Sequence, residues 1–104
     1  MHIISIKALK QFWEKHPNAE PSLRYWYKVT INSRWQHFDD LRTTFPSADP
    51  VGKLTVFNIG GNNYRLIAKV VFSKAKNHTG RVYIRAVLTH QEYDKSKWKQ
   101  DPWL

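Results

Sequence analysis

The spacing of apolar residues changes period once along this chain, and that change constrains the fold class more than any other feature. From Ile6 to Phe45 apolar side chains recur three or four positions apart, whereas from Leu54 to Leu88 they recur mostly at every second position. Helices followed by strands with short turns between them predict an α+β architecture. A short N-terminal strand and the helices pack on one face of a mainly antiparallel sheet.

The elements follow from local signals. HIIS at residues 2–5 is too brief for a helix and reads as a short strand. IKALKQFWEKH then places Ile6, Leu9, Phe12 and Trp13 on one helical face, offers Ser5 as a cap, and is ended by Pro17. A second helix is expected to start near NAEPSL, with Asn18 as cap, Pro21 in the first turn, and Leu23, Trp26, Tyr27 and Thr30 on one face. A third follows Ser33 and carries Trp35, Phe38, Leu41 and Phe45 until Pro46 stops it. The aromatic residues on these faces are read as core. Beyond the turn-rich PSADPVG, LTVFNI is a strand, GGN a tight turn in which glycines take positive φ, and NYRLIAKVVFS the antiparallel partner. KAKNHTG makes the next connection and RVYIRAVLTH is the last strand. The tail KWKQDPWL reads as a short helix or a loosely held end, with Trp98 and Trp103 docking on the body. With 104 residues and no linker, repeat or low-complexity segment, residues 1–104 are expected to form a single domain.

Composition narrows the chemistry. The absence of cysteine removes thiol catalysis, disulfides and thiolate metal sites together. No pair of histidines has metal-ligand spacing with a carboxylate, so no metal is expected: His16 ends a helix and His78 sits in a loop. No apolar run approaches the ~20 residues of a membrane helix, and MHIISIKALKQFW lacks a signal peptide's long apolar stretch. A cytoplasmic protein without membrane contact is expected. Seventeen Lys and Arg against eight Asp and Glu leave a net charge of +9, a field that favours a polyanion, with nucleic acid first among such partners.

Alternation in the strands shows where the charge goes. In NYRLIAKVVFS, Tyr64, Leu66, Ala68, Val70 and Phe72 share one face, and Arg65, Ile67, Lys69, Val71 and Ser73 the other. In the last strand Val82, Ile84, Ala86 and Leu88 form the expected apolar face, opposite Arg81, Tyr83, Arg85, Val87 and Thr89. If helices cover the apolar faces, Arg65, Lys69, Arg81, Tyr83 and Arg85 project from an uncovered side. Such a surface grips phosphates and stacks a base on Tyr83. The same pattern also suits a merely solvated strand face. At the strand's exit stand His90, Tyr93 and Asp94. RNA cleavage without a metal needs proton transfer at the 2′-OH and the 5′-oxygen and cations around the phosphorus, which His90 or Tyr93 and Arg65 and Arg85 could supply.

FWEKHPNAEPSLRYWY, FPSADPVG, VFNIGGNNYRLIAKV and VYIRAVLTHQEYDK, taken together and in this order, resemble the HigB-type toxins of type II toxin–antitoxin systems, a branch of the RelE superfamily. The resemblance runs from about residue 1 to 97. It implies a RelE-like toxin that cleaves mRNA on translating ribosomes by metal-independent attack of the 2′-OH, with no cofactor. It also implies a cognate HigA-type helix-turn-helix antitoxin, through which alone DNA would be contacted. Carried over onto this sequence, the resemblance implies Arg65 and Arg85 as phosphate and transition-state contacts and His90 and Tyr93 as the acid–base end of the site. Lys69, Lys95 and Lys97 join Arg81 and Tyr83 as candidate RNA contacts. The connection SKAKNHTG is longer than usual for the family, and the tail SKWKQDPWL is an extension. A basic RNA- or ribosome-binding protein without catalysis, and a module whose basic face pairs with an acidic protein, are the competing functional classes.

Overall fold

The computed structural model describes residues 1–75 and 79–104. His78 and most of the expected connection's centre therefore lie outside the described residues. The chain runs β1 (His2–Ile4), α1 (Ile6–Lys15), a 3-10 turn (Pro17–Ala19), α2 (Glu20–Ile31), α3 (Phe38–Thr44), β2 (Asp49–Val51), β3 (Leu54–Ile59), β4 (Tyr64–Val71), β5 (Arg81–Thr89), α4 (His90–Asp94) and a second 3-10 turn (Lys97–Gln100). The sheet order is β1-β5-β4-β3-β2, with β1 parallel to β5 and every other pair antiparallel. This is the expected α+β class.

The helices follow their apolar faces, with shifts at the ends. Leu9 and Trp13 of α1 and Leu23, Trp26 and Thr30 of α2 are buried. Ser5 takes the extended N-cap position of α1, although its hydroxyl makes no capping bond. Asn18 falls inside the 3-10 turn that Pro17 starts, so the cap position passes to Ala19 and α2 opens one residue later than expected. The third helix is shorter than its spacing predicts. The Trp35 carbonyl accepts the Ser73 N–H at 2.9 Å, which removes it from any helical ladder, and the chain stays non-helical until His37. The Trp35 ring still reaches the core, its indole N–H donating to the Thr44 hydroxyl at 3.0 Å.

Two corrections concern the sheet. PSADPVG is more than a turn, because Asp49, Pro50 and Val51 pair with Val56, Thr55 and Leu54 through a tight hairpin in which Gly52 has φ +59°. Proline is tolerated there because β2 is an edge strand. The second correction moves side chains between faces. Ile67 pairs with Ala86 while Ala68 pairs with Ile84, so Arg85 is an extra residue, a β-bulge in β5. Beyond it the alternation is reversed. Val87, expected on the charged face, packs against the helix-side core, and Ala86 and Leu88, expected beneath the helices, turn to the opposite side.

That opposite side is therefore partly covered and not open. Leu54, Val56, Ile67 and Trp98 form a second buried cluster with Val51, Ala86, Leu88, Tyr93 and Leu104 packed around it. Its lid is α4 and the tail. Thr89 and Glu92 make a reciprocal capping box, with Glu92 N–H donating to the Thr89 hydroxyl at 3.1 Å and Thr89 N–H to the Glu92 carboxylate at 2.9 Å. Trp98 then folds back, and its indole N–H donates to the Tyr93 carbonyl at 3.1 Å. The tail is thus docked through Trp98 and Trp103, as expected, and its first part is a 3-10 turn.

Because this second cluster is a true core, Trp98→Ala should lower unfolding free energy by about 3 kcal/mol, close to the effect of Phe57→Ala beneath the helices. Denaturant midpoints of the two variants test this. A tail lying loosely on the surface would make the Trp98 variant nearly neutral.

Candidate active site on the tail side of the sheet

The register places Arg65 opposite Leu88, Lys69 opposite Tyr83 and Val71 opposite Arg81, so Arg65, Lys69, Arg81 and Tyr83 share the face that carries the second core. The bulge adds Arg85 to that face, where it meets tail residues. The predicted strand residues therefore share one side of the sheet, but they fall into two separate groups and not one patch. Arg85 lies three residues along β5 from the partner of Arg65, roughly 10 Å at strand spacing.

The first group is built at the end of β4. Arg65 is 9% exposed, and its guanidinium donates to the carbonyls of Asn62 at 3.0 Å and Tyr64 at 3.1 Å. Its guanidinium carbon stands 5.2 Å from the centroid of the Tyr93 ring. Tyr93 in turn stacks on Trp98, with centroids 5.2 Å apart and planes 12° from parallel. Arginine, tyrosine and tryptophan thus form one continuous stack. His90 opens α4 at the same end of the sheet, its backbone N–H donating to the Asn63 carbonyl at 3.1 Å. The imidazole is exposed, and its Nδ1 lies 3.0 Å from the Asp94 carboxylate.

The second group centres on Arg85. Its Nε and Nη2 donate to the two Asp101 carboxylate oxygens at 2.9 and 3.0 Å, a bidentate pair. The Trp103 ring lies 3.9 Å from the guanidinium carbon and meets Tyr83 edge to face at 5.5 Å. Hydrogen bonds from Arg85 hold the Asp101 carboxyl below the usual carboxylate range, against an opposing effect of burial, and the Trp103 N–H adds to the lowering. The same hydrogen bond raises the Arg85 guanidinium. Lys69 lines a neighbouring groove of about 500 Å³ with Lys53, Val71, Tyr83, Pro102, Trp103 and Leu104. Arg81, Lys95 and Lys97 are exposed on the rim, and no described contact draws them to either arginine.

Sequence reasoning missed Asp101 and Lys53. A lone carboxylate in the cationic stretch KSKWKQDPWL was the available signal for the first, and nothing local marks the second. Among the described residues no three His, Asp or Glu side chains gather as a metal-binding group. Among the described residues no helix is long and apolar enough to cross a membrane.

Comparison with known proteins adds an independent line. The family described as HigB_toxin, RelE-like toxic component of a toxin-antitoxin system, matches residues 19–96. A curated protein of Escherichia coli strain K12 named mRNA interferase toxin HigB is 38% identical over 97 residues, covering 90% of this chain and 88% of that one. The mRNA interferase HigB of Shigella flexneri matches to the same extent. A protein of that name from Escherichia coli O6:H1 is 33% identical over 98 residues, covering 91% and 90%.

The depressed Asp101 value has a directional consequence. A carboxyl whose folded pKa is lowered stabilises the fold above its ordinary value, and that contribution disappears as pH falls through the lower folded value. The parent should therefore be more stable than Asp101→Asn at neutral pH, and the gap should close in acid below the usual carboxylate range. Parallel denaturation curves from neutral pH into acid measure it; a gap independent of pH would assign Asp101 no ionic role.

Proposed function

The chain belongs to the HigB toxin family, and from that membership we propose that it is an mRNA endoribonuclease, the toxin of a type II toxin–antitoxin pair, acting on message at the ribosome. The observation that carries the reading is the Arg65–Tyr93 stack beside His90 at one sheet end. It joins a fixed positive charge to two groups able to move protons. The substrate's 2′-OH attacks the adjacent phosphorus, its proton leaves to a base, and the 5′-oxygen departs with a proton from an acid, giving a 2′,3′-cyclic phosphate and a 5′-OH. His90 and Tyr93 are the proton-transfer pair. Asp94 engages Nδ1 of His90, which leaves Nε2 for the proton-transfer role.

Charge builds on the nonbridging oxygens as five bonds crowd the phosphorus. Arg65 meets that charge without reorganising, since two carbonyls and a ring already fix it. Arg85 supplies the second guanidinium, and Lys69, Arg81, Tyr83, Lys95 and Lys97 hold the strand on either side. Side chains provide both proton transfer and charge stabilisation, so the proposed reaction uses no metal or cofactor. The cellular setting is cytoplasmic, residues 1–104 act as one domain, and a HigA-type helix-turn-helix antitoxin silences the toxin and carries the only DNA contact.

Tyr93→Phe keeps the ring between Arg65 and Trp98 and removes only the hydroxyl, and His90→Ala removes only an exposed imidazole. Each should fold normally yet cut message in a translating extract about 100-fold more slowly, within the range of a lost acid or base. Full activity in both would displace the site. Tight RNA binding with intact message, even from the parent, would favour the non-catalytic RNA binder. A further measurement uses salt: ribosome or RNA affinity should fall steeply between about 50 and 200 mM salt as phosphates regain counterions, and a flat response would exclude a backbone-gripping face.

A further inference from the structure

The Arg85 group poses a conflict, because the two-pronged edge of a guanidinium proposed for phosphate is already taken by the chain's own tail. A carboxylate and a phosphate offer the same two-oxygen edge to arginine's planar fork. An indole and a nucleobase likewise offer the same flat face to tyrosine or to a guanidinium. Asp101 presents the first and Trp103 the second, two residues apart, on the same arginine and beside Tyr83. We propose that Asp101 to Trp103 occupy a nucleotide subsite around Arg85 and Tyr83, carboxylate in the place of phosphate and indole in the place of base, so that tail and RNA compete for it.

Three observations make the tail the weaker competitor. Its hold on β5 is one ion pair and one half-exposed ring, with Trp103 40% exposed, and beyond β5 only Leu104 adds contact, at the edge of the second core beside Gly52. Its own bonds are local, Trp103 N–H to the Asp101 carboxylate at 2.8 Å and Leu104 N–H to the Asp101 carbonyl at 3.0 Å, so the segment can leave without breaking a strand. Lys53 and Lys69 line the adjoining groove, and one carboxylate cannot offset them as successive phosphates would. The family match stops at residue 96, and the segment follows Trp98, whose burial anchors everything before it. Release of residues 101–104 therefore leaves most of the second core in place. A subsite open in only a fraction of molecules lowers apparent affinity by that fraction.

The inference rests on the reading of this face as an RNA surface, and the experiment separates the two. A short labelled RNA bearing 2′-O-methyl groups throughout cannot be cut by 2′-OH attack, so its binding to the isolated protein is measured without turnover. Asp101→Asn, and separately removal of residues 101–104, should bind it roughly fivefold or more tightly than the parent. Adding Arg85→Ala to Asp101→Asn should abolish the gain. Equal or weaker binding by both folded variants, or a gain that survives Arg85→Ala, overturns the competition; weaker binding would mean that the tail positions Arg85 for RNA. Message cut in cells reports on the nuclease reading separately. Cut message with unchanged affinities sinks only the competing tail, whereas uncut message with no RNA binding by any variant sinks both.

Discussion

β5 must satisfy apolar layers on both of its faces, and a strand of strict two-residue period cannot do so while also carrying Arg85 beside the tail. The inserted residue resolves this. It lets Val82, Ile84 and Val87 face the helices while Ala86 and Leu88 face α4 and Trp98. Bulges locally increase twist and redirect side chains, and here the redirection creates the second core. Without Ala86 and Leu88 on that side, Trp98 would have a much smaller apolar seat and Tyr93 would lose part of its backing. The Arg65–Tyr93 stack then depends on a backbone irregularity in the neighbouring strand.

Charge on this face is arranged around that core. A net +9 would drive apart cations placed side by side on a bare sheet. The structure sets the main cations on aromatic faces, Arg65 on Tyr93, Arg85 on Trp103 and Lys99 on Trp98 at 5.7 Å. Ring faces stabilise nearby cations by about 0.5–1 kcal/mol at exposed sites, a gain that needs no anion. An added polyanion can therefore meet these cations in place, and on the proposed reading the Asp101 carboxylate on Arg85 marks where such an anion would sit.

The helix faces, the long strands and the α+β class were legible because each depends on a local period that tertiary contacts reinforce. Where the reading failed, a distant partner overruled the local pattern. Trp35 kept helical spacing with Phe38, Leu41 and Phe45, yet its carbonyl is taken by Ser73, nearly forty residues away. Asp49 to Val51 looked like turn chemistry and became an edge strand because Leu54 to Val56 offered a free edge. The bulge left only a faint trace, the unbroken apolar run Ala86, Val87, Leu88 in which alternation fails. The candidate site followed the same division: Arg65, His90, Tyr93 and Lys69 could be named from strand parity and strand ends, while Asp101 reaches Arg85 from sixteen residues away.

The two arginines differ in how they are held, and that difference suits different tasks. Arg65 is buried, bonded to two main-chain carbonyls and backed by a ring, so its position survives whatever arrives in front of it. Fixed charge of this kind favours a transition state, because no energy goes into reorganising it when negative charge appears. Arg85 is held by a side-chain carboxylate and a half-exposed ring, both exchangeable for groups of similar shape and charge. An exchangeable hold suits recognition, where one partner replaces another. On the proposed reading, the distance between them along the sheet separates a bond-breaking end, at His90 and Tyr93, from a strand-holding end, at Tyr83 and the tail.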